Sequence, residues 1–149
     1  MQLLVSAKTD RRVQRLLTHP GVGPLTALCL VHALGPVERF STTRKVAAYV
    51  GLEPMEQSSG ERKRYGAISK AGNRLLRFLL GEAAHMAACK DEQLRAFYLR
   101  LKSRRGMATA VVATARKLLI RCYSMLRDGI DYGEFWRRGI EARSARCVA

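Results

Sequence analysis

Apolar residues recur at helical spacing through most of the chain and predict a mainly α, compact domain. Residues 8–18 form a polar helical pattern, and residues 24–34 are apolar almost all round, which predicts a buried helix beginning at Pro24. Ser41 is placed to cap a short helix that runs to Val50. Three longer helical patterns follow, from Ala71, around 94–101 and over about 107–127. In the last of these, Arg116, Lys117, Arg121 and Arg127 are predicted to lie largely off the apolar stripe.

Residues 52–69 interrupt this pattern. The segment lacks helical periodicity and contains Pro54, Gly60 and Gly66. It is predicted to form a loop or an irregular β-hairpin folded about Ser59 and Gly60. The predicted architecture is therefore a helical domain with one exposed, basic, non-helical insertion.

The pattern divides the chain into three parts. Residues 1–18 are assigned to an N-terminal helix, residues 19–128 to the main domain, and residues 129–149 to a basic, flexible tail. The tail begins with an aromatic patch, formed by Tyr132, Phe135 and Trp136.

The charge of the chain indicates its partners. Its 149 residues contain 27 Lys and Arg against 12 Asp and Glu, for a net charge of +15 and a pI near 10.6. Such an excess favours a polyanion such as nucleic acid as the partner, with an anionic membrane surface as the weaker alternative. No segment resembles a signal peptide or a membrane-spanning helix, which predicts a cytoplasmic location without a membrane partner.

The cysteines and histidines are predicted to be structural. Four cysteines without a close pair match neither a zinc site nor a disulfide framework, and Cys29, Cys89 and Cys122 are interpreted as small core residues. The three histidines, His19, His32 and His85, are well separated, lie near or on apolar faces, and are interpreted as structural residues rather than as ligands or bases. The acids are scattered, so no metal site is predicted in this chain.

A first candidate for nucleic-acid binding is the turn between the first two helices. Its sequence Thr18-His19-Pro20-Gly21-Val22-Gly23-Pro24 resembles a helix-hairpin-helix, in which Gly21 and Gly23 would let the backbone approach a phosphate at a helix N-terminus. Pro24 removes one N–H donor from this cradle. The alternative is a plain turn whose glycines serve packing.

A second candidate is the Ser58-Ser59-Gly60 turn beside a dense run of cations. A hydroxyl held there could attack a phosphodiester, although serine needs activation and only Glu53, Glu56 and Glu61 are nearby bases. From composition alone an ordinary turn is the better interpretation. The cations would grip backbone phosphates without reading sequence, unless they form only a solvated face. They are Arg62, Lys63, Arg64, Lys70, Arg74 and Arg77.

These segments together resemble a known family. The order Pro20-Gly21-Val22-Gly23, Ala47 to Pro54, Ser58-Ser59-Gly60 and Arg64 to Asn73 is similar to the C-terminal domain of insertion-sequence transposases that pair a RuvC-like DEDD domain with a serine domain. Members of that family recombine DNA guided by a structured bridge RNA. The resemblance covers about residues 15–128.

The resemblance implies a catalytic role for the serine turn. In such enzymes a serine forms a covalent link to a DNA phosphate, and Ser59, directly before glycine, matches that position best, with Ser58 as the fallback. Gly66, Lys70, Gly72, Asn73 and Arg77 fall on positions typical of the family, where they would shape the turn and hold the nucleic-acid backbone.

The family's four metal-binding acids have no counterpart in this sequence. The resemblance therefore implies that Mg²⁺ belongs to a missing DEDD domain, supplied in cis or in trans, with residues 1–18 as the end of the linker to it. It also implies DNA and a structured guide RNA as partners, a homo-oligomer in the intact enzyme, and a bacterial, nucleoid-associated protein. The isolated chain is expected not to recombine DNA.

Three interpretations of the function follow. The chain is the serine part of a recombinase, split from or truncated before its metal domain; or a non-catalytic nucleic-acid-binding module or transposase remnant; or an assembly domain whose apolar helices and aromatic patch contact other protomers.

Overall fold

The chain folds into a mainly α domain with one two-stranded sheet. The structure is a computed structural model that describes residue 5 and residues 8–59 and 62–148, with the backbone alone over 54–67 and at 148. The helices are α1 (Arg11–Leu17), α2 (Pro24–Leu34), α3 (Thr43–Val50), α4 (Arg74–Lys90), α5 (Glu92–Arg105), α6 (Met107–Asp128) and α7 (Tyr132–Val148). A short 3₁₀ turn covers Val37–Arg39, and strands β1 (Pro54–Ser59) and β2 (Arg62–Ile68) pair antiparallel.

Short polar side chains fix where several helices begin. Asp10, Asn73 and Asp91 accept the backbone N–H of a residue in the first turn of α1, α4 and α5, respectively. Each cap satisfies a donor that the helix itself leaves unpaired. Helix α3 is capped by Thr42, which accepts from the N–H of Lys45, so the prediction of Ser41 as the cap was wrong by one residue.

The core is built around α6. Its buried stripe includes Leu118, Leu119, Cys122 and Met125, and α6 packs mainly against α4 and α5. The predicted stripes of α4 and α6 are confirmed except at Leu75, which was placed on the stripe of α4 and is exposed. Burial raises the pKa of the Cys122 thiol to about 12, so this cysteine is an inert core residue, as predicted. Cys89 is exposed and Cys29 only half-buried, which corrects their assignment to the core.

Arg121 is buried in this core, although the helical pattern placed it off the apolar stripe. Its guanidinium donates to Asp91 Oδ2 at 2.8 Å and to Gln93 Oε1 at 2.9 Å, and its side chain is 7% exposed. The helical pattern wrongly predicted that Arg121 is off the buried stripe, because the pattern does not include its partner acid, which lies 30 positions away. The acid that makes its burial tolerable is Asp91, the cap of α5.

Asp91 is bound from three directions. It accepts hydrogen bonds from the N–H of Leu94, from Arg121 and from the Tyr132 hydroxyl. Burial alone would raise the pKa of the Asp91 carboxyl, but these donors outweigh it and lower that pKa below its usual value. On the other side of the contact, burial and Asp91 raise the pKa of Tyr132 to about 12.

The C-terminal segment is a helix where the sequence predicted a flexible tail. Helix α7 is docked at its first turn, where the N–H of Tyr132 donates to Thr18 Oγ1 at 2.9 Å and Phe135 packs against the core. On its solvent side Glu134 pairs with Arg137 and Arg138 at 2.8 and 2.7 Å. The prediction failed because the segment is polar overall, and its docking residues are few.

His19 is a buried side chain in the turn after α1, in keeping with the predicted structural role. Its Nδ1 lies 2.9 Å from the Pro20 carbonyl oxygen, its ring contacts that of Tyr132 at 4.6 Å, and no described atom forms a hydrogen bond with Nε2. Burial lowers the pKa of His19 to about 4. The other two histidines, His32 and His85, are exposed, and His32 Nδ1 lies 2.9 Å from the Leu28 carbonyl oxygen.

We expect His19 to make the fold sensitive to acid. Because its pKa is lower in the folded state than in the unfolded one, the unfolded chain binds the extra proton as the pH falls from about 6.5 to 4. The free energy of unfolding should fall by roughly 3 kcal/mol over that window from this group. Urea titrations at several pH values would measure it. The slope should disappear in His19→Gln and persist in the exposed control His32→Gln; equal slopes in both variants would contradict the assignment.

Candidate nucleic-acid interface

The two strands place the serine turn opposite the first basic residues. In the register of the sheet, the Cα of Ser59 pairs with that of Arg62, and the Cα of Ser58 with that of Lys63. Gln57 pairs with Arg64 in the same ladder. The backbone therefore brings the predicted nucleophile and the predicted phosphate-binding residues to the same end of one hairpin.

The side chains at this end lie outside the described residues. This applies to Ser58, Ser59 and to the cations Arg62, Lys63 and Arg64, and Gly60 and Glu61 are not described at all. Their predicted roles stay predictions. Of the three nearby acids, Glu53 is described, and its carboxylate is paired with Arg44 rather than free to act as a base.

The base of the hairpin is fixed to α3 by backbone contacts. The N–H of Ser69 donates to the Glu53 carbonyl at 3.0 Å, and that of Lys70 to the Gly51 carbonyl at 3.2 Å. Lys70 itself has a left-handed backbone with φ of 53°, which is uncommon for a residue with a side chain. These bonds continue the ladder beyond the strands.

Two glycines permit this close approach. A Cβ on Gly51 would lie 1.9 Å from the Ala71 carbonyl oxygen, and one on Gly72 would lie 2.2 Å from that of Tyr49. Both glycines have positive φ, of 82° and 85°. The segment before α4 is thus pressed against the end of α3, and any side chain at either position would separate them.

Arg77 and Asn73 have contacts within the chain, although sequence reasoning assigned them to nucleic acid. Arg77 Nη1 donates to the carbonyl oxygens of Val50 at 3.2 Å and Ala71 at 2.8 Å, and Asn73 Oδ1 accepts the N–H of Leu76 at 3.1 Å. The guanidinium therefore joins the end of α3 to the start of α4. The cap could have been found from the sequence, because Asn73 stands directly before the apolar stripe. The bond from Arg77 to Val50, 27 positions away, could not.

The remaining predicted cations form an exposed edge beside a groove. Lys70 and Arg74 are exposed, and with Arg77 they line one side of a groove of about 480 Å³. Phe78 of α4 and Val112 of α6 are among its apolar walls, and Phe78 is 64% exposed. The groove thus combines positive charge with apolar surface next to the base of the hairpin.

The turn that resembles a helix-hairpin-helix is packed against α4. Gly21 has φ of 90°, and a Cβ there would lie 2.4 Å from the backbone nitrogen of Ala87. The close approach that Gly21 permits is therefore to the chain itself, which accounts for this glycine without a phosphate. Gly23 differs, because its φ is −91° and a Cβ there would meet nothing within 4 Å. It leaves the N-terminus of α2 open, with Pro24 as the first helical residue, as predicted.

The described part of the chain offers no cluster of three or more His, Cys, Asp or Glu side chains able to hold a metal ion. The described residues therefore offer no site for Mg²⁺, which the resemblance assigns to a DEDD domain. Among the described helices none is both long and apolar enough to cross a membrane.

Comparison with known proteins finds one matching family and several relatives. Residues 13–99 match the family described as "Transposase IS116/IS110/IS902 family". The chain is 38% identical over 120 residues to the transposase for insertion sequence element IS1111A of Coxiella burnetii, and 37% identical over 120 residues to a probable family 20 transposase of Pseudomonas aeruginosa. Both alignments cover 78% of this chain.

The aligned region is a limited part of those relatives. It covers 33% of the Coxiella burnetii protein and 36% of the Pseudomonas aeruginosa protein. An insertion element IS110 protein of Streptomyces coelicolor is 32% identical over 127 residues, with 85% of this chain and 31% of that protein aligned. The chain thus spans about a third of the length of the relatives it matches.

We predict that Gly21 and Gly23 respond differently to alanine. Gly21→Ala should lower the free energy of unfolding by about 2 to 4 kcal/mol, because the backbone is left-handed and the methyl group overlaps α4. Gly23→Ala should cost no more than about 1 kcal/mol, the decrease expected at a helix cap. Urea unfolding of both variants measures the difference. Equal decreases in the free energy of unfolding would contradict the close packing of Gly21 against α4.

Proposed function

This chain belongs to the Transposase IS116/IS110/IS902 family, and we propose that within a transposase it is the part that binds DNA and supplies a serine nucleophile. The observation that carries the proposal is the register of the hairpin, which sets the backbone of Ser58 and Ser59 opposite Lys63 and Arg62. A hydroxyl beside cations is the pairing that attack on a phosphodiester requires.

The proposed chemistry is a phosphoryl transfer to serine. Ser59 Oγ forms a bond to phosphorus, the bond from phosphorus to the departing deoxyribose oxygen breaks, the serine proton passes to a base, and the departing oxygen gains a proton. Cations near the hairpin stabilise the charge that develops on the non-bridging oxygens. Ser58 is the fallback nucleophile, because it is one register position farther from the turn.

The exposed edge beside the hairpin supports a role in binding the DNA backbone. Lys70 and Arg74 are exposed and have no carboxylate partner among the described side chains, in a chain with a net charge of +15. Such groups release counterions when they meet phosphates and give affinity without sequence preference. The open N-terminus of α2 at Gly23, the remaining part of the helix-hairpin-helix hypothesis, would add a further phosphate contact.

Metal binding and guidance of the reaction would depend on a further domain and on RNA. The Mg²⁺ would be held by a DEDD domain acting in cis or in trans, because the acids described in this chain do not cluster. We also propose that a structured guide RNA takes part, that the intact enzyme is a homo-oligomer, and that it is located at the nucleoid. Residues 1–149 alone would bind nucleic acid without recombining it.

The second candidate is a nucleic-acid-binding module that performs no chemistry. The lack of a metal-binding cluster among the described residues and the pairing of Glu53 with Arg44 favour it, since neither offers a means to activate a serine. The two candidates predict the same binding and differ only in the outcome of replacing Ser59.

We expect the basic hairpin to dominate the salt dependence of DNA binding. Replacing Arg62, Lys63 and Arg64 together by Gln should reduce the slope of log K against log salt by about 2 to 3, because each neutralised phosphate accounts for about 0.9 of that slope. Fluorescence anisotropy with a labelled duplex measures it. The matched control replaces Lys102, Arg104 and Arg105, three exposed cations at the end of α5. If the slope falls equally in both triple variants, the hairpin does not contribute more to DNA binding than other exposed cations of the chain.

We expect Ser59→Ala to abolish the covalent protein–DNA adduct and recombination when the DEDD domain, Mg²⁺ and guide RNA are supplied. Binding of DNA should be unchanged, because the hydroxyl contributes no positive charge. Denaturing electrophoresis of labelled DNA detects the adduct, and Ser58→Ala is the matched control that should retain it. An adduct that disappears in Ser58→Ala alone would transfer the role to Ser58. An adduct that persists in the double variant would exclude both serines as the nucleophile, and the absence of any adduct with the parent chain would favour the binding module.

A further inference from the structure

Helices α5, α6 and α7 enclose a second basic pocket that the sequence did not predict. Its volume is about 290 Å³, and its walls include Lys117 and Arg121 of α6 and Phe135, Trp136, Gly139 and Arg143 of α7. None of the residues that line it also lines the groove beside the hairpin. The pocket exists only because α7 is a docked helix.

The pocket carries positive charge that the described carboxylates leave unbalanced. Burial lowers the pKa of the half-buried Lys117 amine, and Arg121, Arg100 and Arg143 lower it further, while Asp91 opposes them only weakly. Asp91 is already bound to Arg121 and Tyr132. In the described part of the chain no ion pair includes Lys117 or Arg143.

Arg137 and Arg138 on the outer side of α7 are paired with acids, and Arg143 on the side that lines the pocket is not paired with a described acid. On the outer side, Glu134 and Glu141 pair with Arg137 at 2.8 Å, and Glu134 also pairs with Arg138 at 2.7 Å. On the side that lines the pocket, Arg143 has no such acid, and Trp136 and Gly139 are its neighbours along the helix. The described acids of α7 are thus engaged on the outer side, and Lys117 and Arg143 on the inner side have no carboxylate partner among the described residues.

The geometry of the pocket suits a planar group as well as an anion. Trp136 is half-buried at its wall, and Gly139 leaves open space, because a Cβ there would meet nothing within 4 Å. Arg121 is immobilised by Asp91 and Gln93, and the Lys117 amine lies 4.3 Å from the centre of the Phe97 ring. Cations beside an aromatic wall are the combination that binds single-stranded nucleic acid, with the phosphate on the cations and the base on the ring.

We propose that this pocket binds one nucleotide of single-stranded nucleic acid, with its phosphate at Lys117 and Arg143 and its base against Trp136. The proposal rests on the proposed function only in taking nucleic acid as the partner. Its site is separate from the hairpin, so the two can fail independently.

Trp136 is the only tryptophan of the chain, which makes it a direct reporter. Titration of the full chain with oligo(dT) should quench its fluorescence, and Lys117→Gln should weaken the fluorescence-monitored affinity roughly tenfold, as expected when one charge-assisted hydrogen bond is removed. Gly139→Leu should fill the pocket and remove the quenching while leaving the helix at least as stable, because leucine is the better helix former. Arg146→Gln, an exposed cation on the same helix, is the matched control and should bind as the parent does.

Several results would overturn the inference. They are oligo(dT) binding detected by anisotropy without any change in Trp136 fluorescence, Lys117→Gln and Arg146→Gln variants that weaken binding equally, and quenching that persists in Gly139→Leu. Equal quenching by inorganic phosphate would reduce the pocket to an anion site without a base, and equal quenching by poly-glutamate would point to an acidic protein segment. If the hairpin triple variant loses duplex binding while oligo(dT) still quenches Trp136, the proposed function of the hairpin and this inference both stand, at separate sites.

Discussion

The buried pair of Asp91 and Arg121 is the contact on which the arrangement of the C-terminal half depends. Asp91 caps α5, Arg121 comes from the middle of α6, and the hydroxyl of Tyr132 brings the start of α7 to the same carboxylate. Removing one partner of a buried pair typically costs about 3–5 kcal/mol, because the other charge is left without compensation. Three helices therefore share one acid, which together with Thr18 and the packing of Phe135 holds α7 over the basic pocket.

The sequence predicted what depends on local periodicity. The apolar stripes of α4 and α6, the buried α2 and Pro24 at its first turn follow from spacing and are confirmed. It did not predict what depends on partners distant in the chain. The burial of Arg121 depends on its ion pair with Asp91. The docking of α7, within the segment 129–149 that was predicted to be flexible, depends on the contacts of Tyr132 with Thr18 and Asp91.

At the candidate site, too, the sequence predicted local features and missed contacts between residues distant in the chain. The sequence identified the serine turn and its cations as a segment of special composition, and the register now sets the backbone of Ser59 opposite Arg62. It could not distinguish cations that hold the fold from cations that face outward. Arg77 donates to two carbonyl groups of its own chain, whereas Arg74, three residues earlier, is exposed. The motif around Gly21 is similar: its glycine serves the packing of α4, and the resemblance to a phosphate-binding turn was a poor guide to its role.

The mutual approach of Gly51 and Gly72 also has a mechanical meaning. At these two points the backbone on either side of the hairpin is in direct contact, and Arg77 fastens the same place from α4. These contacts hold the base of the hairpin against the end of α3 and the start of α4, so the helical domain determines the direction in which the two described strands leave it. A nucleic acid strand bound along the hairpin would therefore be oriented by the helical domain.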